Sequence, residues 1–258
     1  MGKNTVADRE RRHQALVDFV SERGTTTPEQ LAEVLNVSLM TIYRDISALE
    51  LSGLVRRDRG AIMLAPYTLA EASALMRAGT QISAKKRLAQ AVMRYLSSGI
   101  SVALDDSTTL IHLFPHLAEL DPLTVITNSR LISEEVINNS RLELLQLGGS
   151  FVRWADAYSG PSAISMMKGL RPDVCVMSTT AISEGQLAHP DAAMAALKAQ
   201  MLESSRKRIL VVDKTKFAKS ALYRFFPLEK IDVVITEAGI SNTLRETLTD
   251  SVAEVVLV

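Results

Sequence analysis

Hydrophobic positions change period about a quarter of the way along this chain. Over 8–23, Leu16, Val17, Phe19 and Val20 fall on one helical face, and Gly24 marks the end of that helix. A second helix follows Thr27-Pro28, a polar cap and a first-turn proline, with Leu31, Val34 and Leu35 at helical spacing. Asn36-Val37-Ser38 is a tight turn, and Ser38 is placed to cap a third helix. In that helix Ile42, Ile46, Leu49 and, at its start, Leu39 face inward, and Gly53 ends it. Leu54–Arg57 and Ala61–Leu64 then read as two short strands around Asp58-Arg59-Gly60.

Beyond Lys85 the pattern becomes short apolar runs separated by amphipathic stretches. Strands are expected at 100–104, 124–127, 142–147, 173–177, 208–212, 233–236 and 255–258. Helices are expected at 85–96, 108–119, 129–138, 161–170, 191–205 and 241–249. Continuous apolar strands alternating with helices imply a largely parallel sheet covered on both faces. The chain therefore reads as α/β: an N-terminal winged helix-turn-helix over 1–66, a linker with some helical character over 67–83, and a mostly parallel α/β domain over 84–258.

A helix-turn-helix reads bases from the start of its second helix. Here that segment carries Ser38, Met40, Thr41, Tyr43 and Arg44, while Arg56, Arg57 and Arg59 make a basic wing placed to reach phosphates. Arg9, Arg11 and Arg12 open the first helix. Bulk charge adds nothing: residues 1–65 hold nine Lys and Arg against nine Asp and Glu, and the whole chain balances at 29 against 29. That balance excludes a basic nucleic-acid coat and an acidic tail, so DNA binding rests on local placement. Cys175 is the only cysteine, which excludes an internal disulfide, and its apolar run makes it a buried strand thiol. There is no apolar leader and no run of membrane-spanning length, so the expectation is a cytoplasmic protein without membrane contact.

In a parallel sheet, ligands bind beyond the carboxyl ends of the strands. Asp105, Asp106, Ser107, Thr108 and Thr109 follow the first strand; Thr127 and Asn128 end the second, before Ser129; Gly148 and Gly149 follow the third; Asp213 to Phe217, with Lys216, follow the fifth; Thr236 to Gly239 follow the sixth. Hydroxyls, amide groups and helix starts gathered on one rim suit a small, anionic, hydroxyl-rich ligand such as a sugar phosphate. Each feature alone is ordinarily a cap, a turn or a solvated lysine; their common position carries the reading.

The run Val37-Ser38-Leu39-Met40-Thr41-Ile42-Tyr43-Arg44-Asp45-Ile46, with Leu49 and Gly53, resembles the signature of the DeoR family of bacterial transcription regulators. It departs from that signature at Tyr43, where the family has arginine, and in the wing, where Asp58-Arg59-Gly60-Ala61 stands for the usual His-Gly-Gly. The resemblance continues through Asp105–Thr109, Thr127-Asn128, Gly148-Gly149 and Asp213–Phe217. It implies an effector half with the ribose-5-phosphate isomerase type of fold. It also implies phosphate held by Ser107, Thr108 and Thr109, and Asp105 and Lys216 near the sugar. Lys198 matches the family's helix lysine, whereas Ser183–Asp191 departs from the family pattern and places His189 in a loop, where exposure is the ordinary state. The implied partners are a double-stranded DNA operator, a small phosphorylated sugar and further copies of the chain, since one recognition helix reads too few bases.

The expectation is thus a sequence-specific regulator, in repressor form, of carbohydrate genes, with no enzymatic activity, no cofactor and no metal. The competing reading is a sugar-phosphate isomerase with an added head, for which Asp105, Asp106 and Lys216 are the available proton-transfer groups. His112 and His116 have ligand spacing, but Pro115 between them disturbs the helix that a metal pair would need. Trp154 and Tyr158 follow the glycine pair and suit either the ligand mouth or a subunit surface.

Overall fold

A computed structural model describes residues 6–51, 55–58, 60–64, 74–139 and 141–258. The chain separates into two compact units, residues 1–80 and 81–258. Gly53, Leu54, Arg59, Pro66 and linker residues 67–73 lie outside the described residues.

The first unit runs α1 (Val6–Arg23), β1 (Thr25–Thr26), α2 (Pro28–Val34), α3 (Leu39–Leu51), β2 (Val55–Asp58), β3 (Ala61–Leu64) and α4 (Ala74–Gly79). Gly24 closes α1 at φ 78°, a conformation open to glycine without strain. Thr27 and Gln30 cap α2 reciprocally: the Gln30 N–H donates to the Thr27 hydroxyl, and the Thr27 N–H donates to the Gln30 side chain. Asn36 takes a left-handed φ of 50° in the turn before α3. Leu16, Val20, Leu31, Ile42, Ile46, Leu49, Val55 and Ile62 form one buried cluster, with β1, β3 and β2 paired antiparallel beside the helices. Leu39, expected inside, is exposed at the first position of α3, and Val34 also faces solvent. Both sit at a helix end beside the turn, where helical spacing no longer fixes burial.

The second unit runs α5 (Ile82–Val92), β4 (Ser101–Leu104), α6 (Phe114–Leu117), β5 (Thr124–Thr127), α7 (Arg130–Asn139), β6 (Glu143–Gln146), β7 (Ser150–Val152), β8 (Ala157–Ser159), α8 (Pro161–Lys168), β9 (Val174–Met177), β10 (Ala181–Ser183), β11 (Gln186–His189), α9 (Ala192–Ser204), β12 (Lys207–Val211), β13 (Tyr223–Pro227), β14 (Val233–Thr236), α10 (Asn242–Ser251) and β15 (Glu254–Leu257). Seven strands form one sheet in the order β15-β14-β12-β9-β4-β5-β6, every pair parallel. Period-two side-chain alternation sends Val102, Val176, Val211 and Ile235 to one buried cluster and Ala103, Cys175, Met177, Leu210 and Val234 to the other. Both faces are covered, which is why the buried middles of these strands are apolar on both sides, and β9 (Val174–Met177) along its whole length. Cys175 is a buried strand thiol, its pKa pushed up by burial.

Three expectations change. The stretch 108–119 is not one helix. Its 3-10 turn Leu110–Leu113 gives way to the four-residue α6, which carries Pro115 in its first turn. Six short strands were not foreseen: β1 in the first unit, the β7–β8 hairpin, and β10, β11 and β13, which pair antiparallel in a separate sheet. The β10–β11 hairpin turns on Glu184-Gly185, both at positive φ (52° and 68°), the geometry of a two-residue type I′ loop. Finally, His189 is not in an exposed loop: it ends β11 and is buried.

Candidate functional site

On the reader, Ser38 caps α3 by accepting from the Thr41 N–H at 3.2 Å, and its hydroxyl lies 2.9 Å from that of Thr41. Tyr43 and Arg44 are exposed and Met40 is 63% exposed, so the start of α3 presents an open polar and apolar surface. Asp45, one residue on, is 3% exposed and ties α3 back to α1. Arg12 Nε donates to it at 2.5 Å, and His13 Nε2 lies 3.0 Å from its other oxygen. Burial alone raises this carboxyl, but the hydrogen bonds from His13 and Arg12 prevail and hold it below the ordinary carboxylate value. Arg12 is thereby committed inside the unit and separates from the basic group at the start of α1.

The wing is likewise fastened to α3. Arg57 reaches Glu50 at 3.0 Å and the Ser47 hydroxyl at 3.1 Å, and its guanidinium lies 5.7 Å from the Tyr43 ring centroid. Arg56 is exposed on β2, next to Arg57. The substitution of tyrosine for arginine at 43 thus supplies a ring that helps seat a wing arginine.

In the second unit, strand order reverses between β4 and β9, the switch point of the sheet. Asp105, at the end of β4, spans it. Its Oδ1 accepts from the Ser107 N–H at 3.0 Å, and its Oδ2 accepts from the Ser178 N–H, beyond β9, at 3.1 Å. Lys198, from α9, donates to Asp105 at 2.5 Å and to Asp106 at 2.7 Å, all three side chains being buried. Burial opposes the Lys198 charge, but the two carboxylates outweigh it and raise its pKa, so the ammonium stays protonated. Lys85, from α5 and 4% exposed, donates to the Thr108 hydroxyl at 3.0 Å. The Ser107 hydroxyl accepts from the Thr109 N–H. A buried loop of hydroxyls thus sits among two lysines and two aspartates.

The other rim residues lie along the same edge. Thr127 accepts from the Ser129 N–H, and Asn128 donates to the Tyr158 carbonyl. Gly149 has φ 119°, and a Cβ there would stand 2.5 Å from the Ser159 carbonyl oxygen; Gly148 has open space. Lys216 lies in a 3-10 turn after β12, capped by Asp213. From β6 to β12 the rim crosses four strand spacings, about 19 Å at the strand ends. Those around β4, β5 and β9 are nearest the switch point, and Gly148, Gly149 and Lys216 stand toward its two sides. Trp154 stacks on His189, with ring centroids 5.9 Å apart, and Phe151 packs against Tyr158.

Sequence reasoning did not place Lys85, nor Ser178-Thr179-Thr180 after β9, at the rim. Lys85 sits in an ordinary charged helix run, and only the tertiary fold turns it inward. The run after β9 has the same hydroxyl composition as the loops that were recognised, so that signal was present. Among the described residues no group of three or more His, Cys, Asp or Glu is placed to hold a metal ion. Among them, too, no helix is long and apolar enough to cross a membrane.

A winged helix-turn-helix carried on the same chain as a parallel α/β unit with a polar switch point defines a transcription regulator with a sensor half. Comparison with known families agrees: residues 12–65 match the DeoR-like helix-turn-helix domain and residues 80–238 the DeoR C terminal sensor domain. The chain belongs to the DeoR family of transcriptional regulators. It is 31% identical over 247 residues to the HTH-type transcriptional repressor CsqR of Escherichia coli (strain K12), covering 95% of this chain and 94% of that protein. It is 30% identical over 229 residues to the L-fucose operon activator of the same organism, covering 88% and 94%. Among solved structures it is similar to ribose 5-phosphate isomerase A of Methanocaldococcus jannaschii, at 12% identity, 54% and 55% coverage and a TM-score of 0.40, a level that bears on neither ligand nor activity.

Proposed function

We propose that this regulator binds a double-stranded operator through Ser38, Met40, Thr41, Tyr43 and Arg44, with wing arginines 56, 57 and 59 on phosphates. In this reading it controls carbohydrate genes, and a phosphorylated sugar bound at the switch-point loop changes its affinity for DNA. Asp105, Asp106, Ser107, Thr108, Thr109, Thr127 and Asn128 form that site, with Gly148, Gly149 and Lys216 at its borders. The observation that carries the reading is the buried hydroxyl loop Ser107–Thr109 beside Lys85 and Lys198. Paired heads of a homo-oligomer match repeated half-sites about one DNA turn, roughly 34 Å, or a multiple apart. One relative is named a repressor and another an activator; repression is the form proposed here.

The chain acts as a sensor and not as an isomerase. Asp105 already accepts from two backbone N–H groups and Lys198, and Asp106 from Lys198, so neither carboxylate stands ready as a general base. The test is recovery of genomic fragments by the purified protein at fixed salt, followed by anisotropy titration of a recovered site with a panel of triose, pentose and hexose phosphates. Specific sites whose affinity shifts with one sugar phosphate are expected. Retention of no specific DNA, or indifference to every sugar phosphate, refutes the corresponding half of the reading.

A further inference from the structure

Among the described residues, the buried side-chain polar atoms without a hydrogen-bond partner are Asn128 Oδ1, Ser159 Oγ and Thr236 Oγ1. Unpaired buried oxygens are uncommon enough in folded proteins that each calls for a partner. Thr236 ends β14, four strand spacings from β5, and so stands apart from the other two. Asn128 and Ser159 lie together. The Asn128 carbonyl accepts from the Tyr158 N–H at 2.8 Å, and Asn128 Nδ2 donates to the Tyr158 carbonyl at 3.1 Å. That second bond fixes the amide, leaving Oδ1 as a bare acceptor beside the Tyr158-Ser159 backbone.

The next residues open α8. Its cap position is Gly160, at φ 101°, and supplies no side-chain hydrogen bond; Pro161 follows and has no N–H to give. The first bond inside the helix is from the Ile164 N–H to the Gly160 carbonyl. Ser162 and Ala163 come before it, at the donor-rich, electropositive end of the helix. Gly149 closes the spot from the β6–β7 turn, since any larger residue there would strike the Ser159 carbonyl. Pro161 and Ser162 are exposed, so solvent is near at hand.

We propose that Asn128, Ser159 and the N-terminus of α8 form a subsite that reads a hydroxyl group at the sugar end of the effector. This rests on the sugar-phosphate reading above and extends it. The donor and acceptor types select the ligand group. Asn128 Oδ1 only accepts, the helix N–H groups only donate, and Ser159 does either. A hydroxyl, which donates once and accepts twice, satisfies all three. The phosphate monoester of a sugar phosphate, a dianion above its second pKa of about 6, offers Oδ1 no proton and is repelled there, which leaves the anionic end for the Ser107–Thr109 loop. A site built to bond a hydroxyl discriminates against the analogue lacking it, because the analogue leaves the buried oxygens unpaired.

The test uses the full chain, wild type and Ser159→Ala, in calorimetric titrations with inorganic phosphate, glycerol 3-phosphate, ribose 5-phosphate, glucose 6-phosphate and the 2-deoxy forms of the last two. For whichever sugar phosphate binds, Ser159→Ala is expected to weaken binding by roughly tenfold or more. Its affinity for inorganic phosphate should stay unchanged. The ligand-free melting temperature of the variant should hold or rise, because a buried unpaired hydroxyl is removed. Unchanged sugar-phosphate affinity, equal weakening of inorganic phosphate, or a ligand-free melting point lower by several degrees overturns the subsite. If the wild type itself binds no sugar phosphate, the broader reading fails and the subsite falls with it.

Discussion

Lys198→Met is the most informative single change in the sensor half. Lys198 lies 2.5 Å from Asp105 and 2.7 Å from Asp106, with side-chain exposures of 6%, 0% and 2%. Methionine keeps the length and most of the packing of the lysine stem but removes the charge that the two carboxylates share. Breaking a buried ion pair from one side destabilises by about 3–5 kcal/mol, since the partner stays behind uncompensated. For a unit of this size each kcal/mol lowers the midpoint by about 2–4 °C, so the expected fall is about 6–20 °C. The deficit should also depend on pH. Burial raises the Asp105 pKa already in the intact protein, and losing Lys198 raises it further. A carboxyl whose folded pKa exceeds its unfolded one contributes stability below the unfolded pKa and loses it as pH rises through the folded pKa. The variant's deficit should therefore be larger near pH 7.5 than near pH 5. Thermal unfolding followed by circular dichroism at both pH values measures this. The triple variant Asp105→Asn, Asp106→Asn, Lys198→Met removes the stranded charges and should lose less than the single change. A fall of under about 2 °C for Lys198→Met, or an equal fall at both pH values, would refute the assignment of a charged buried cluster.

On the reader, Arg44→Ala should weaken operator binding by about 1–3 kcal/mol if the arginine reads a base, with the melting of the unit unchanged; anisotropy at fixed salt decides, and an unaltered affinity removes Arg44 from the reading surface. Asp45 has a lowered pKa, so its contribution to the stability of the first unit is present above the unfolded carboxylate value of 3.8 and is lost as pH falls through the lower folded value. Asp45→Asn should accordingly melt lower than wild type at neutral pH and approach it in acid; a constant difference across that range contradicts the coupling to Arg12 and His13. Gly149→Ala puts a methyl group 2.5 Å from a backbone oxygen at a φ of 119°, and should cost at least about 1–3 kcal/mol in chemical denaturation. A neutral result there would mean that the β6–β7 turn yields.

What the sequence disclosed follows from the range of the forces involved. The helix-turn-helix was legible because its signals are local: a threonine cap, a first-turn proline, a left-handed asparagine and a capping serine all lie within twelve residues of one another. The central strands were legible because burial on both faces demands apolar residues without interruption. The β7–β8 hairpin and the β10-β11-β13 sheet were not. Their strands are three to five residues long, and one pair turns on Glu-Gly instead of the Asn-Gly or Asp-Gly that advertises a type I′ loop.

The same distinction governs the candidate sites. Residues at strand ends could be named in advance, since the ends of a parallel sheet form one rim whatever their order. Which of them are neighbours depends on strand order, and the reversal between β4 and β9 is a tertiary fact. Asp105 joins Ser178 across 73 residues of sequence, and Lys198 joins Asp105 across 93. No local pattern distinguishes Lys85, 4% exposed, from Lys86 beside it, which faces solvent. The adjacent lysines differ by one helical step of about 100°, enough to carry one ammonium into the hydroxyl loop and leave the other in water. A charge of that kind declares itself only when helix and loop are placed together, and this is why the composition of the chain, balanced to zero, gave no hint of where its buried charges meet.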